Sequence, residues 1–251
     1  MHQNGGNMRF FDFSLLVGSD PYSPAEASQE ALVAYLDLAD AGGIVTSLAG
    51  CYYDCEAGNR ETLEICDCDR RLLPGFVVDP RRPGVTHIDF GAAARRFRAL
   101  VLFANLQPGI SQAWPLTHPA LPAIFEKASE AKLPIIIYIS RAGDVAPLVR
   151  LANDVEMPVV ALGLSYIAVN EAIEGALAVE NLLFGMSIFA GLDNSETLVE
   201  RLGPERLVYN SGEARWSHGG VLRTLEAARI DDAARKRIAI GNARRIFGDA
   251  F

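Results

Sequence analysis

The chain of 251 residues is half hydrophobic and 22% charged, which suits one large domain with a sizeable core and excludes a disordered or low-complexity chain. Lys plus Arg number 23 against 31 Asp plus Glu, and the net charge of -8 supplies no basic field for a phosphate backbone, so nucleic acid is not an expected partner. The apolar runs fall far short of the roughly 20 residues that span a bilayer, and four cysteines do not make a disulfide scaffold.

Residues 1–8 are polar and rich in Gly and Asn, without the order of a secretion signal. They read as a flexible segment ahead of one domain over 9–251, in a protein expected in the cytoplasm. Short apolar runs then alternate with longer amphipathic ones, the pattern of parallel strands joined by helices. Strands are predicted at 9–17, 43–48, 73–78, 99–104, 134–139, 158–162, 182–188 and 206–210. Ser23-Pro24-Ala25-Glu26 has the form of a capping box with Pro at the first helical position, and Gly42-Gly43 supplies a stop, so the first helix is predicted over 24–41. Further helices are predicted at 59–67, 119–131, 144–155, 170–179, 195–202, 219–229 and 232–247, with Ile230-Asp231 between the last two. Eight strands is the number of a closed barrel of this size. An open doubly wound sheet shares the alternation, but the first strand runs into Leu16-Val17-Gly18-Ser19-Asp20-Pro21 rather than into a Gly-rich phosphate loop. The expected fold is α/β, a single (β/α)8 TIM barrel with an extra C-terminal helix.

Active sites in such barrels lie where the strands end and the βα loops begin. That face receives Ser14 and Leu16 from the first strand, Ser47 and Cys51 from the second, Asp79 and Arg81 from the third, and Asn105 and Gln107 from the fourth. It also receives Tyr138, Ser140 and Arg141, then Gly163 and Ser165, then Ser187, and finally Asn210, Ser211, Gly212 and Glu213. Histidine occupies none of these places.

Several segments resemble a known family. Residues 202–212, LGPERLVYNSG, look like a strand-eight segment of the form LGxDRhhFGSD with h apolar, and Ile240-Gly241-Asn242-Ala243-Arg244-Arg245-Ile246-Phe247 looks like a closing GNAxRLF helix. Residues 119–140 resemble a helix followed by an LPxxxH strand, and residues 11–18 resemble an opening IDxHxHxG. Together these are similar to the amidohydrolase-related barrel hydrolases and decarboxylases, over nearly the whole length. The resemblance implies a divalent metal held by the two opening histidines, by histidines on strands five and six, and by an aspartate on strand eight. In this chain those places carry Ser14, Leu16, Tyr138, Gly163 and Gly212. Leu16, Gly163 and Gly212 offer no side-chain ligand, whereas a catalytic metal needs three or more from the protein. The metal site is therefore expected to be lost, with no metal and no cofactor, and the fold transfers better than the activity.

Tyr138 and Glu213 are the candidate catalytic residues. Tyr138 can donate to a substrate oxygen or simply fill the volume a metal site would occupy. Glu213 follows the vacant aspartate place and, with Asp12, is one of few carboxylates near the predicted axis; Asp12, at strand parity with Ser14 and Leu16, is expected to point inward, lower in the barrel. Candidate substrate contacts are Ser14, Asn105 and Asn210, which can also serve local hydrogen bonds. To these are added Arg81, Arg141 and Arg215, whose forks could converge on a carboxylate, and His218, a candidate acid or base without a visible partner. Cys51-x3-Cys55 and Cys66-x-Cys68 lack the usual zinc spacing and are set apart by a helix. Two functions stay open: a hydrolase- or lyase-like enzyme acting on a small, carboxylate-bearing molecule without the metal, or a catalytically silent relative that binds a small molecule or a protein. The partner expected is a small molecule at the C-terminal face of the barrel, with a homo-oligomer implied by the family resemblance.

Overall fold

The computed structural model describes residues 9–21, 26–105, 114–186, 193–212 and 218–248. Eight strands run parallel in chain order: β1 (Phe10–Ser19), β2 (Ala41–Ser47), β3 (Leu72–Val77), β4 (Ala99–Phe103), β5 (Ile135–Tyr138), β6 (Val159–Leu162), β7 (Leu182–Gly185) and β8 (Leu207–Val208). The seam between first and last is joined where Phe13 donates its N–H to the carbonyl of Tyr209, just past β8, at 3.1 Å. The result is the expected (β/α)8 barrel. Its strands are apolar on both faces, as burial on both sides requires. Leu16, Ile44, Val77, Val101, Ile136, Tyr138, Leu162, Leu183 and Val208 fill the interior. Leu15, Val45, Leu100, Ile137, Ala161 and Phe184 pack outward against the helices.

The inward set in β1 is Phe11, Phe13 and Leu16, while Leu15 and Val17 lie in the outer layer. A register shift between Asp12 and Leu15 reverses the alternation at this point. The expectation that Asp12 points inward is thereby overturned: its carboxylate accepts a hydrogen bond from Tyr35 on the first helix. Gly43 sits opposite this bulge, and a Cβ there would lie 2.2 Å from the carbonyl oxygen of Asp12, so β2 can approach only as glycine.

The first helix, α1 (Gln29–Ala39), begins later than expected. Glu26 and Ala27 instead pair antiparallel with Ser19 and Gly18, whose exposed edge satisfies their backbone, and Ser28 caps α1 by accepting from the N–H of Ala31. The rest of the anticipated capping box, residues 23–25, lies outside the described residues. The helix ends at Asp40 (φ 51), not at Gly42-Gly43, which belong to β2. Two helices fill the β2–β3 connection, α2 (Leu48–Tyr52) and α3 (Cys55–Cys66); the side-chain amide of Asn59 binds both the N–H and the carbonyl of Val77, pinning α3 to β3 like one more strand residue. The short α4 (Phe90–Ala94) precedes β4. Helices α5 (Leu121–Glu130), α6 (Val145–Asn153), α7 (Val169–Ala178), α8 (Asn194–Leu202) and α9 (His218–Ala227) fall within a few residues of the predicted bounds.

The last predicted helix is broken. Asp231 caps α10 (Asp232–Lys236), a π-type turn spans Arg237–Gly241, and α11 (Asn242–Phe247) follows. The widened turn leaves the carbonyl of Ile238 to accept the N–H of Tyr209. Asn242 donates to the carbonyls of Pro204 (2.8 Å) and Leu207 (2.7 Å), so the GNA segment holds the short β8 in place. Ile240 and Ala243 join the interior cluster, and the ring of Phe247 lies 5.4 Å from Phe11 and 5.7 Å from Phe13, closing the barrel floor. Among the described residues no helix is long and apolar enough to cross a membrane.

Candidate functional site

Toward the C-terminal ends of the strands, β1 and β5 bring Ser14 and Tyr138 together: Ser14 Oγ and Tyr138 Oη are 2.7 Å apart, both buried. Two hydroxyls carry two protons and only one can lie between the oxygens, so the pair directs the other elsewhere. Phe103, at the end of β4, stacks on Tyr138 with centroids 4.6 Å apart and planes 20° apart. Asn105 is buried beside it and donates its backbone N–H to the carbonyl of Tyr138. Asn210, also buried, lays its amide across Gly185 of β7.

The bulge beneath Ser14 rests on Asp12. This fully buried carboxylate accepts the N–H of Ser14 (2.9 Å), the N–H of Ser211 (3.0 Å), the hydroxyl of Tyr35 (3.0 Å) and the hydroxyl of Ser211. Burial raises its pKa above the ordinary carboxylate range, and the hydrogen bonds from Ser211, Ser14 and Tyr35 pull against that shift. Burial, reinforced by the adjacent Asp12, likewise raises the phenol of Tyr35. No signal in the sequence joined Asp12 to Ser211, although each stands in a segment that carries the family resemblance.

The other expected contacts are less concentrated. Arg81 closes a bidentate pair on Asp79, with its Nη2 2.7 Å from Oδ2. Burial pushes the Asp79 carboxyl up, but the Arg81 hydrogen bonds outweigh it and the net shift is downward. Arg141 is exposed, and its backbone N–H goes to Asp144. Glu213 and Arg215 lie outside the described residues, as does the side chain of His218, whose backbone begins α9. Of the three arginines expected to converge on one anion, the described residues include Arg81, paired with Asp79, and the exposed Arg141.

Asp144, which sequence reasoning passed over, is half-buried in the loop that follows β5, and burial, with Glu171 nearby, raises its pKa against the pull of Arg141. Glu171 itself accepts the N–H groups of Gly143 and Val145 and ties α7 to the start of α6. None of the four cysteines forms a disulfide; burial raises the thiols of Cys55 and Cys66, the latter to about 12.

The residues at the five places that the resemblance assigns to ligands do not fit a divalent metal. The methyl groups of Leu16 fill the interior, Ser14 and Tyr138 bond each other, and Gly163 (φ 92) and Gly212 (φ 68) have no donor. Among the described residues no group of three His, Cys, Asp or Glu side chains could hold an ion. What the arrangement does offer is hydrogen bonding. The partner of the Ser14 hydroxyl is a phenol rather than an imidazole or carboxylate, which is not the pairing that makes a nucleophile.

Solved structures show the same fold at low sequence identity. A Pseudomonas putida protein provisionally named a 2-pyrone-4,6-dicarboxylic acid hydrolase superposes with a TM-score of 0.74 and 17% identity, covering 98% of this chain and 99% of its own. A 5-carboxyvanillate decarboxylase from Sphingomonas paucimobilis gives 0.71 and 13%, over 96% and 99%. A 2,6-dihydroxybenzoate decarboxylase from Rhizobium gives 0.69 and 11%, over 95% and 97%. A search of curated proteins returns no match. The profile of the amidohydrolase family matches residues 18–248, nearly the whole barrel, and this chain belongs to that family.

Proposed function

We propose that this chain binds a small carboxylate-bearing molecule at the C-terminal mouth of the barrel and that it has lost the metal-assisted chemistry of its family. One observation supports the reading: Ser14 and Tyr138, which the family resemblance aligns with metal ligands, bond each other, and Leu16, aligned with a third, is buried. Ser14 and Tyr138 would meet a ligand oxygen, with Asn105 and Asn210 beside them and Arg141 at the rim. The superposed proteins named for pyrone dicarboxylate, carboxyvanillate and dihydroxybenzoate supply the ligand class. Hydrolase- or lyase-like turnover without the metal is the second reading. It is favoured by the half-buried Asp144, whose raised pKa suits proton transfer, and it makes Glu213 a base to test.

The experiment combines three measurements. Protein incubated with zinc, manganese and iron is analysed for metal per chain. Binding of 2-pyrone-4,6-dicarboxylate, 5-carboxyvanillate and 2,6-dihydroxybenzoate is followed by calorimetry, and the same compounds are assayed for turnover. The expected result is a metal ratio near zero and saturable binding that Tyr138→Phe and Ser14→Ala weaken. One bound metal per chain with metal-dependent turnover refutes the proposal, and turnover without metal selects the second reading.

A further inference from the structure

We infer that Asp12 is a positioning residue of the mouth: by holding the backbone on which Ser14 stands, it sets the Ser14 hydroxyl against Tyr138 for the ligand contact proposed above, on which this inference rests. Ser14 lies within the register shift of β1, where the ladder to β2 is interrupted. Its N–H goes to Asp12 Oδ1 at 2.9 Å, and the same atom takes the N–H of Ser211 at 3.0 Å. One carboxylate oxygen therefore fastens both sides of the seam that closes the barrel, next to the bond from Phe13 to Tyr209.

The two oxygens do different work. Backbone N–H groups cannot turn away, so Oδ1 is their required acceptor. Oδ2 faces the hydroxyls of Ser211 and Tyr35, which can rotate to accept as well as donate. Asp12→Asn keeps the carbonyl oxygen for the two N–H groups and presents its amide nitrogen to the two hydroxyls. Asp12→Ala leaves both N–H groups buried without that acceptor, and the bulge that carries Ser14 has to move to find others.

The test reads the phenol of Tyr138 without any ligand. The whole chain is prepared with tyrosine labelled with carbon-13 at Cζ, a position sensitive to hydrogen bonding of the hydroxyl. The Tyr138 resonance is identified by its loss in Tyr138→Phe, and Ser14→Ala gives its position when the Ser14 partner is removed. Asp12→Ala should bring the resonance to the Ser14→Ala position and weaken 2,6-dihydroxybenzoate binding about tenfold or more, while Asp12→Asn should leave both near wild type. A folded Asp12→Ala protein with the wild-type resonance, or a folded Asp12→Asn protein with a displaced one, overturns the inference. If the alanine protein does not fold, Asp12→Leu, which fills the volume of the carboxylate without an acceptor, replaces it under the same criteria. Failure of 2,6-dihydroxybenzoate to bind even the wild type counts against the ligand reading alone, because the resonance still reports on Asp12.

Discussion

Replacing Gly185 by alanine should disturb the mouth from behind. A Cβ on Gly185 would lie 2.3 Å from Asn210 Oδ1 and 2.5 Å from Leu162 Cδ2. Ordinary contact needs more than 3 Å, so the amide of Asn210 must retreat by about 1 Å, and overpacking of this kind costs about 1–3 kcal/mol. Both obstructing atoms are ends of side chains rather than backbone, which places the expected cost toward the lower part of that range. Removing the amide first should relieve its part of the conflict and leave the contact with Leu162. In the Asn210→Ala background, Gly185→Ala should therefore cost about 1 kcal/mol less than in wild type, within the coupling found for residues in contact. Urea unfolding of the four proteins measures that difference, and calorimetry on the single variant should show weaker binding of whichever carboxylate the wild type takes. Additivity to within about 0.5 kcal/mol would refute the reasoning, since it would mean that the amide of Asn210 does not rest on Gly185.

Asn242 donates to two carbonyls, so Asn242→Asp, which faces them with acceptors and a buried charge, should destabilise more than Asn242→Ala, and urea midpoints compare the two. Asp12 has a folded-state pKa raised above its ordinary 3.8, so the folded chain binds that proton more tightly than the unfolded one, and stability is lost as pH rises from about 4 through the raised value. Asp12→Asn lacks this term and should gain on wild type across that window, as unfolding at a series of pH values would show; a constant difference would contradict the direction of the shift. Cys68 is exposed, whereas burial raises the thiols of Cys55 and Cys66, so a thiol reagent at pH 8 should modify Cys68 first and Cys66 only on unfolding, with peptide mapping as the readout.

The strands were legible because each is a short, largely apolar run, and their number gave the barrel. The start of α1 was not, because Glu26 and Ala27 have an edge of β1 to pair with, and no local pattern announces a partner strand. A one-residue bulge is equally silent in sequence, yet it decides which way Asp12 faces. The site was half legible. The resemblance set Ser14 and Tyr138 at two places of one ligand set, and the two are bonded across 124 positions of sequence. The bonds from Asp12 to Ser211 span 199 positions and follow from the closing seam, which periodicity does not describe. Arg81 looked available from its place beyond β3, but a neighbour two residues away, Asp79, claims its fork.

The dependence of β8 on the segment that follows it has a consequence during synthesis. This strand has only two residues, and the bonds from Tyr209 to Ile238 and from Asn242 to Pro204 and Leu207 tie it to residues synthesised after it. About thirty residues separate Gly212 from Asn242, which a ribosome adds in roughly 2–6 s. Through that interval the nascent sheet has its first seven strands but an unsecured eighth, so two edges remain open to pairing with other chains. Any slowing of translation over this stretch lengthens the exposure, and the yield of folded protein should follow the speed of the codons for residues 213–242.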